Sequence, residues 1–224
     1  MEMMPFHPDA DLGAPYAERA DPLPTWGPRT TPDWRAELPT LGGLELTLRE
    51  LTREDAPSLF EQLTTEQVAR FISPPPTSVA GFEAFIAWAQ RRRAQGRYVC
   101  FGIVPAGQTA AVGMVQIRVS DTTPETAEWG FALGSSYWGT GVFLAAARRV
   151  ADFAFAAMGL RRLEARAAVP NGRGNGALRK LGAVREAVLH HSFERHGERL
   201  DQVLWTIARE DWWVAQTLRD GTVH

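Results

Sequence analysis

The stretch Glu128-Trp-Gly-Phe-Ala-Leu-Gly-Ser-Ser-Tyr-Trp-Gly-Thr-Gly-Val-Phe143 decides how the rest of the chain is read. Apolar residues crowd its first half, Gly134 and two serines break the run, and glycines flank Thr140 before a long apolar-periodic segment. That succession predicts a strand over 126–133, a short glycine-rich loop, and a helix over about 141–158 that Gly159 stops. A helix that opens without a capping side chain leaves its first amides unpaired, and the peptide dipole adds partial positive charge there. Glycine lets the backbone come close to an anion, so the turn suits a phosphate-bearing ligand; it is equally the form of an ordinary tight strand-to-helix turn.

Outward from this stretch, residues 44–49 alternate apolar and polar as a half-buried strand. Thr52 is positioned to cap a helix to about residue 63, and Ser78 a second one in which Phe82, Phe85, Ile86 and Ala89 share a face. The rigid Ser73-Pro-Pro-Pro-Thr77 separates the two helices. Arg91-Arg92-Arg93 reads as a solvated helix end whose charge complements the dipole. Strands at 97–104 and 111–119 flank the hairpin-length Pro105-Ala-Gly-Gln108. After the central helix come a strand at 163–168, a helix at 172–181, and strands at 184–193 and 200–207 with His196-Gly197 between them. The order β-α-α-β-β-β-α-β-α-β-β predicts an α+β fold, a mixed sheet covered by helices. Eight of the fifteen prolines fall between Pro5 and Pro39. Proline lacks an amide donor and biases its predecessor away from helix, so 1–41 reads as an extended arm and 42–224 as the domain. Trp26 and Trp34, isolated in that arm, are expected to dock on the domain, with a partner contact as the alternative.

Composition narrows the function classes. Lys+Arg number 24 against Asp+Glu 26, a net charge of −2, and no basic run marks a nucleic-acid partner. The lone Cys100 excludes an intramolecular disulfide and the usual cysteine-rich zinc sites. No apolar run reaches bilayer length and the start is acidic and proline-broken, so no membrane is expected and a cytoplasmic location is. Among phosphate ligands, the dinucleotide fingerprint fails because Leu144 stands where its third glycine belongs, and no Gly-Lys-Ser/Thr element exists. Other phosphate carriers remain, the pyrophosphate of coenzyme A among them.

Trp138-Gly-Thr-Gly141-Val-Phe143 resembles the pyrophosphate loop of the GNAT acetyltransferase superfamily, Arg/Gln-x-x-Gly-x-Gly/Ala, in the form of its ribosomal-protein N-acetyltransferase branch, where many members carry tryptophan first. Asn171-Gly-Arg-Gly-Asn-Gly-Ala-Leu-Arg-Lys180-Leu-Gly182 is similar to that branch's Asn-x-x-Ser-x-x-x-Leu-x-Lys-x-Gly element, and Gly197-Glu-Arg-Leu-Asp201-Gln-Val-Leu-Trp resembles its paired C-terminal strands. The resemblance runs from about residue 44 to 209 and leaves the arm outside. It implies a splayed, mostly antiparallel sheet with acetyl-CoA held between the fourth and fifth strands. Backbone groups of Phe131, Ala132 and Leu133 would pair with the pantetheine amides. Trp138 would open the loop, and the amides of Gly139, Thr140, Gly141, Val142 and Phe143 would hold the pyrophosphate. Asn171 would touch the pantetheine arm, a role compatible with a plain helix cap. Two departures stand out: Phe143 replaces the small last residue of the loop, and Leu178 occupies the place of the tyrosine that many members use as general acid. The ring of Phe143 is expected to pack into the core and leave its amide free.

The implied activity is acetyl transfer to a primary amine by direct attack in a ternary complex, with a protein N-terminal α-amine favoured over a small amine. A peptide α-amine has a pKa near ~8 against about 10.4 for lysine, so it needs less help from a base. Glu128, in the strand leading to the loop, is the candidate base; the alternative is a half-buried acid paired with an arginine. His190, His191 and His196 form a cluster, but neighbours on a strand point to opposite faces, so no metal is expected. One of them could instead serve as base or substrate contact. Asp201 reads as structural. The acids near the expected cleft (Glu83, Glu128 and Glu186) are too scattered to favour a cationic acceptor. A non-catalytic acyl-CoA-binding module is the alternative reading, and a homodimer stays open.

Overall fold

The computed structural model describes residues 33–195 and 197–220. Its elements are β1 Leu41–Gly42, β2 Leu46–Glu50, α1 Ala56–Leu63, α2 Glu66–Ala69, α3 Val79–Ala94, β3 Tyr98–Pro105, β4 Gly113–Val119, β5 Thr126–Leu133, α4 Val142–Ala156, β6 Arg162–Ala168, α5 Gly172–Leu181, β7 Val184–Arg195, β8 Glu198–Ala208 and α6 Arg209–Asp220. All the expected elements are present. Three more join them: the two-residue β1, the single turn of α2, too short to leave a periodic pattern, and α6. No helix among the described residues is long and apolar enough to cross a membrane.

The eight strands form one sheet in the order β1-β2-β3-β4-β5-β6-β8-β7, and every neighbouring pair is antiparallel except β5 with β6. That exception organises the molecule. A parallel pair needs a crossover, and the Gly134–Gly141 loop with α4 supplies it. The β5–β6 ladder lasts only from Thr126↔Arg162 to Glu128↔Glu164. Beyond it β6 stays with β8 as far as Ala168↔Gln202, while β5 stays with β4 as far as Leu133↔Gly113. The sheet therefore forks after Glu128.

Two apolar layers sandwich the sheet. On one face α4 buries Ala146, Val150, Phe153 and Ala154 against Phe101, Val115, Ile117 and Trp129. On the other, Leu59 and Leu63 of α1 and Phe82, Phe85 and Ile86 of α3 cover Tyr98, Cys100 and Met114. Trp34 and Leu38 belong to the first layer, so the last part of the proline-rich segment is docked. Trp26 and the remainder of the arm before residue 33 lie outside the described residues. Arg93 is the device that holds this docking, and here the expectation of a solvated helix end needs correcting. Its guanidinium, only 11% exposed, pairs with Glu50 at 2.6 Å and donates to the carbonyls of Trp34 and Arg35. Three carbonyl and carboxylate acceptors outweigh the hydration available to a helix end.

Helix starts follow the sequence signals. Asp55 accepts from the Thr52 amide at 2.9 Å, closing a tight turn from which α1 begins one step later, at Ala56. Ser78 accepts from the Gly81 amide at 3.1 Å. Ser78→Ala is accordingly expected to lower stability by about 1 kcal/mol, read as a lower urea midpoint with an unchanged slope.

Candidate active site

The fork opens into a cleft of about 1130 Å³. Its walls are the end of β5, the loop from Ser135 to Gly141, the start of α4, the start and one face of α5, and residues 67–72. Gly139 and Gly141 have φ of 78° and 90°, a left-handed backbone that side chains disfavour, and a Cβ on either would meet nothing within 4 Å. Gly141 is the N-cap of α4 and no side chain caps that helix. Its first-turn amides are therefore available, at the positive end of the helix dipole.

Trp138 braces the loop. Its indole Nε1 donates to the Leu133 carbonyl at 2.9 Å, and the Arg173 guanidinium lies 4.0 Å from its ring centroid. The tryptophan thus ties the loop to the end of β5 and holds a cation from α5 over the cleft. Phe143 does not project as a free ring. It is half-buried against the core, with its centroid 3.9 Å from that of Phe131. Both rings nevertheless form part of the cleft wall.

Four cationic residues line this cleft (Arg70, Arg173, Arg179 and Lys180), and no Asp or Glu does. Three come from α5, where Arg173, Gly176, Ala177 and Lys180 share a face at helical spacing. That spacing is the sequence signal for Arg173 and Lys180, while Arg179 lies off this face and left no such mark. Of the residues expected to hold the cofactor, Phe131, Ala132, Leu133, Trp138, Gly139, Gly141, Phe143 and Asn171 line the cleft. Thr140 turns its hydroxyl back to the Tyr137 carbonyl at 2.8 Å, and Val142 packs against the core. Asn171 caps α5 by accepting from the Gly174 amide at 2.9 Å. Asn175, which the sequence reading passed over, brackets the region. Its amide nitrogen donates to the carbonyls of Ala168 and Asn171, each at 2.9 Å, and its oxygen accepts from Trp205 Nε1 at 2.8 Å.

Glu128 sits outside this cleft, at the closed end of the fork. Its side chain is 12% exposed and pairs with Arg118 at 2.7 Å and Arg166 at 3.8 Å. It lines a second, smaller cavity of about 210 Å³ with Arg118, Glu164 and Arg166. Arginine holds the other two acids as well: Glu83 pairs with Arg53 and Glu186 with Arg162, which keeps both carboxyls below their usual range. The surroundings of the cleft therefore offer no free acidic patch among the described residues.

His190 and His191 are not among the residues that line the cleft. His190 Nδ1 lies 2.9 Å from Asp201 Oδ2, and the His191 amide donates to Asp201 Oδ1 at 2.9 Å. The His191 amide, then the His190 ring, hold the Asp201 carboxyl below its ordinary value. Asp201 thus shapes an irregular stretch of β7 in which His191 has φ 52°. His196 lies outside the described residues. Tyr98 and Cys100 are fully buried, and desolvation raises the pKa of both.

A family model described as an acetyltransferase (GNAT) domain matches residues 45–184. Among related proteins, an uncharacterized N-acetyltransferase of Bacillus licheniformis, p20, is 24% identical over 174 residues, spanning 77% of this chain and 98% of that protein. Among solved structures, Mycobacterium smegmatis RimJ in complex with CoA-disulfide superimposes with a TM-score of 0.70 at 23% identity, covering 83% of this chain and 96% of that one. The ribosomal-protein-S5-alanine acetyltransferase of Vibrio fischeri gives 0.68 at 18% identity, covering 77% and 98%. At these identities the structural likeness is one of fold.

Proposed function

The chain belongs to the GNAT acetyltransferase family, and from that premise we propose that it is an acetyl-CoA-dependent N-acetyltransferase acting on a primary amine, a protein N-terminal α-amine before a small amine. The observation that carries the reading is the wall of the larger cleft. An uncapped helix start, two left-handed glycines and four cations without one acid are the complement of a polyphosphate. Names of structural neighbours such as RimJ and S5-alanine acetyltransferase support a protein amine as acceptor.

Bound in the cleft, acetyl-CoA supplies an activated acetyl group: as the amine nitrogen bonds to the thioester carbon the C–S bond breaks, the amine gives up one proton and the released thiol gains one. The amides of Gly139, Thr140 and Gly141 and the first turn of α4 hold the pyrophosphate, with Arg173 and Lys180 beside the remaining phosphate charge. The free backbone edge of Phe131 and Ala132 pairs with the pantetheine amides, while Leu133 has already given its carbonyl to Trp138. Glu128 accepts the amine proton through water. Leu178 takes the place of the usual acid; a thiol pKa near ~8.5 makes the thiolate a tolerable leaving group unaided, and it takes its proton from solvent.

Calorimetric titration with acetyl-CoA against CoA, followed by thiol release across peptides and small amines, tests the reading. Glu128→Gln is expected to lower kcat/KM about tenfold without changing acetyl-CoA affinity. Micromolar binding without thiol release to any amine favours the acyl-CoA-binding module instead. Absence of binding means that Phe143 closes the cleft, and the reading falls.

A further inference from the structure

The sheet face that α1 and α3 cover over β3 and β4 continues across β5, β6 and β8, where Glu128, Glu164 and Arg166 are half-buried and Gln202 is buried. Register alternation puts Gln116 and Arg118 of β4, Glu128 of β5, Glu164 and Arg166 of β6, and Gln202 of β8 on this one face. Its acids are committed: Glu128 to Arg118 and Arg166, Glu164 to Arg162 at 2.7 Å, Glu186 to Arg162 at 2.5 Å. Its donors are not. Nε2 of Gln116, Nε of Arg166 and Nε2 of Gln202 are buried without a hydrogen-bond partner. Gln116 and Gln202 are both 0% exposed, and their amide oxygens already accept, from Tyr98 and from Ser192 at 2.9 Å.

A buried donor without an acceptor is costly, and the two beyond the helix-covered strands, Arg166 Nε on β6 and Gln202 Nε2 on β8, point to an oxygen supplied from outside. Arg166 lies where β6 leaves β5, and it lines the 210 Å³ cavity beside Glu128. A polycationic acceptor would meet two arginines and the unpartnered Arg166 Nε–H and Gln202 amide N–H here, with the nearby carboxylates already paired. A peptide amino terminus brings what the face lacks: a carbonyl oxygen close to the amine.

We propose that this face is the acceptor subsite and that Arg166, supported by Gln202, reads the first carbonyl of a peptide amino terminus while its amine lies beside Glu128. The assignment rests on the acetyltransferase reading above. It makes Arg166 a specificity-determining residue.

The test uses the full chain at saturating acetyl-CoA. The acceptors are an equimolar set of twenty tetrapeptide amides differing in their first residue, propylamine, and spermidine. The peptide set is expected to exceed both amines in kcat/KM by at least about tenfold, as one charge-assisted hydrogen bond allows. Arg166→Lys keeps the positive charge near Glu128 and removes the Nε–H. It is expected to raise the peptide KM about tenfold and to change kcat by one common factor on peptide and propylamine, because Arg166 also pairs with Glu128, so that kcat/KM falls about tenfold further on the peptide while acetyl-CoA affinity holds. Preference for spermidine, or an equal loss on peptide and propylamine, overturns the assignment. Titration with acetyl-CoA in the same samples separates the two levels. No binding and no transfer to any acceptor sinks the parent reading, whereas normal binding with transfer to spermidine alone sinks only this one.

Discussion

Gly141→Val is expected to weaken acetyl-CoA binding at least about 100-fold while leaving the fold intact. At φ 90° an L side chain is strained by on the order of 1–3 kcal/mol, more for a β-branched one. The free space around the position means that the strain is conformational and not a clash. The loop can relieve it by rotating its peptide planes, and in the proposed reading those planes carry the amides that hold the phosphates. Each hydrogen bond to a charged group contributes about 1.5–3 kcal/mol, so misaiming one or two gives the stated loss. Gly107 offers a matched control: its φ is 79°, its Cβ site is also open, and it lies in the β3–β4 turn away from the cleft. Gly107→Val should show the same stability cost by urea unfolding with unchanged calorimetric affinity. If both variants bind acetyl-CoA like the parent, the loop does not hold the pyrophosphate.

The largest stability effect is expected at Asp55. This carboxylate is 1% exposed, receives both Arg49 guanidinium nitrogens at 2.7 and 2.8 Å, and accepts the amides of Thr52 and Ala111, each at 2.9 Å. It pins the start of α1 to β2 and to the entry of β4. Asp55→Ala strands a partly buried guanidinium and two amides, a loss of about 3–5 kcal/mol. In a domain of this size that corresponds to a fall in Tm of roughly 10 °C, measurable by calorimetry. The pH dependence has a definite sign. Burial alone would push the Asp55 carboxyl up, but Arg49 and the two backbone amides outweigh it and hold it below the usual value. A depressed folded-state value stabilises the fold above the unfolded pKa of about 3.9, and that stability is lost as pH falls through the lower, folded one. The parent should therefore lose stability more steeply below about pH 4 than Asp55→Ala does.

Much of the cleft was legible because it is made of backbone. Left-handed glycines and an uncapped helix start leave their mark as residue types in order, and the wall at Trp138, Gly139 and Gly141 follows directly. Side-chain partnerships did not read through. Nothing in the spacing of Glu128, Arg118 and Arg166 announces that three strands bring them together, since cross-strand neighbours are set by register. Arg93 misled for the same reason: a helix-end arginine looks solvated until the partners contributed by β2 and residues 34–35 are in place. Trp138 stands where the superfamily's loop has Arg or Gln, and the Arg173 guanidinium stacked over its ring from another helix keeps a cation at that place.

The two outer strands of the sheet have a consequence for solubility. Long, flat outer strands offer unpaired N–H and C=O groups that recruit other chains and seed aggregation. Here β1 is only two residues long, and β7 is broken by two register shifts with His191 at positive φ. Both flanks are poor templates for a further strand. The strand edges that remain unpaired run along β5 past Glu128 and β6 past Glu164, facing each other inside the fork. Blunt outer rims leave the open strand edges inside the fork, where another copy of the sheet does not meet them side by side.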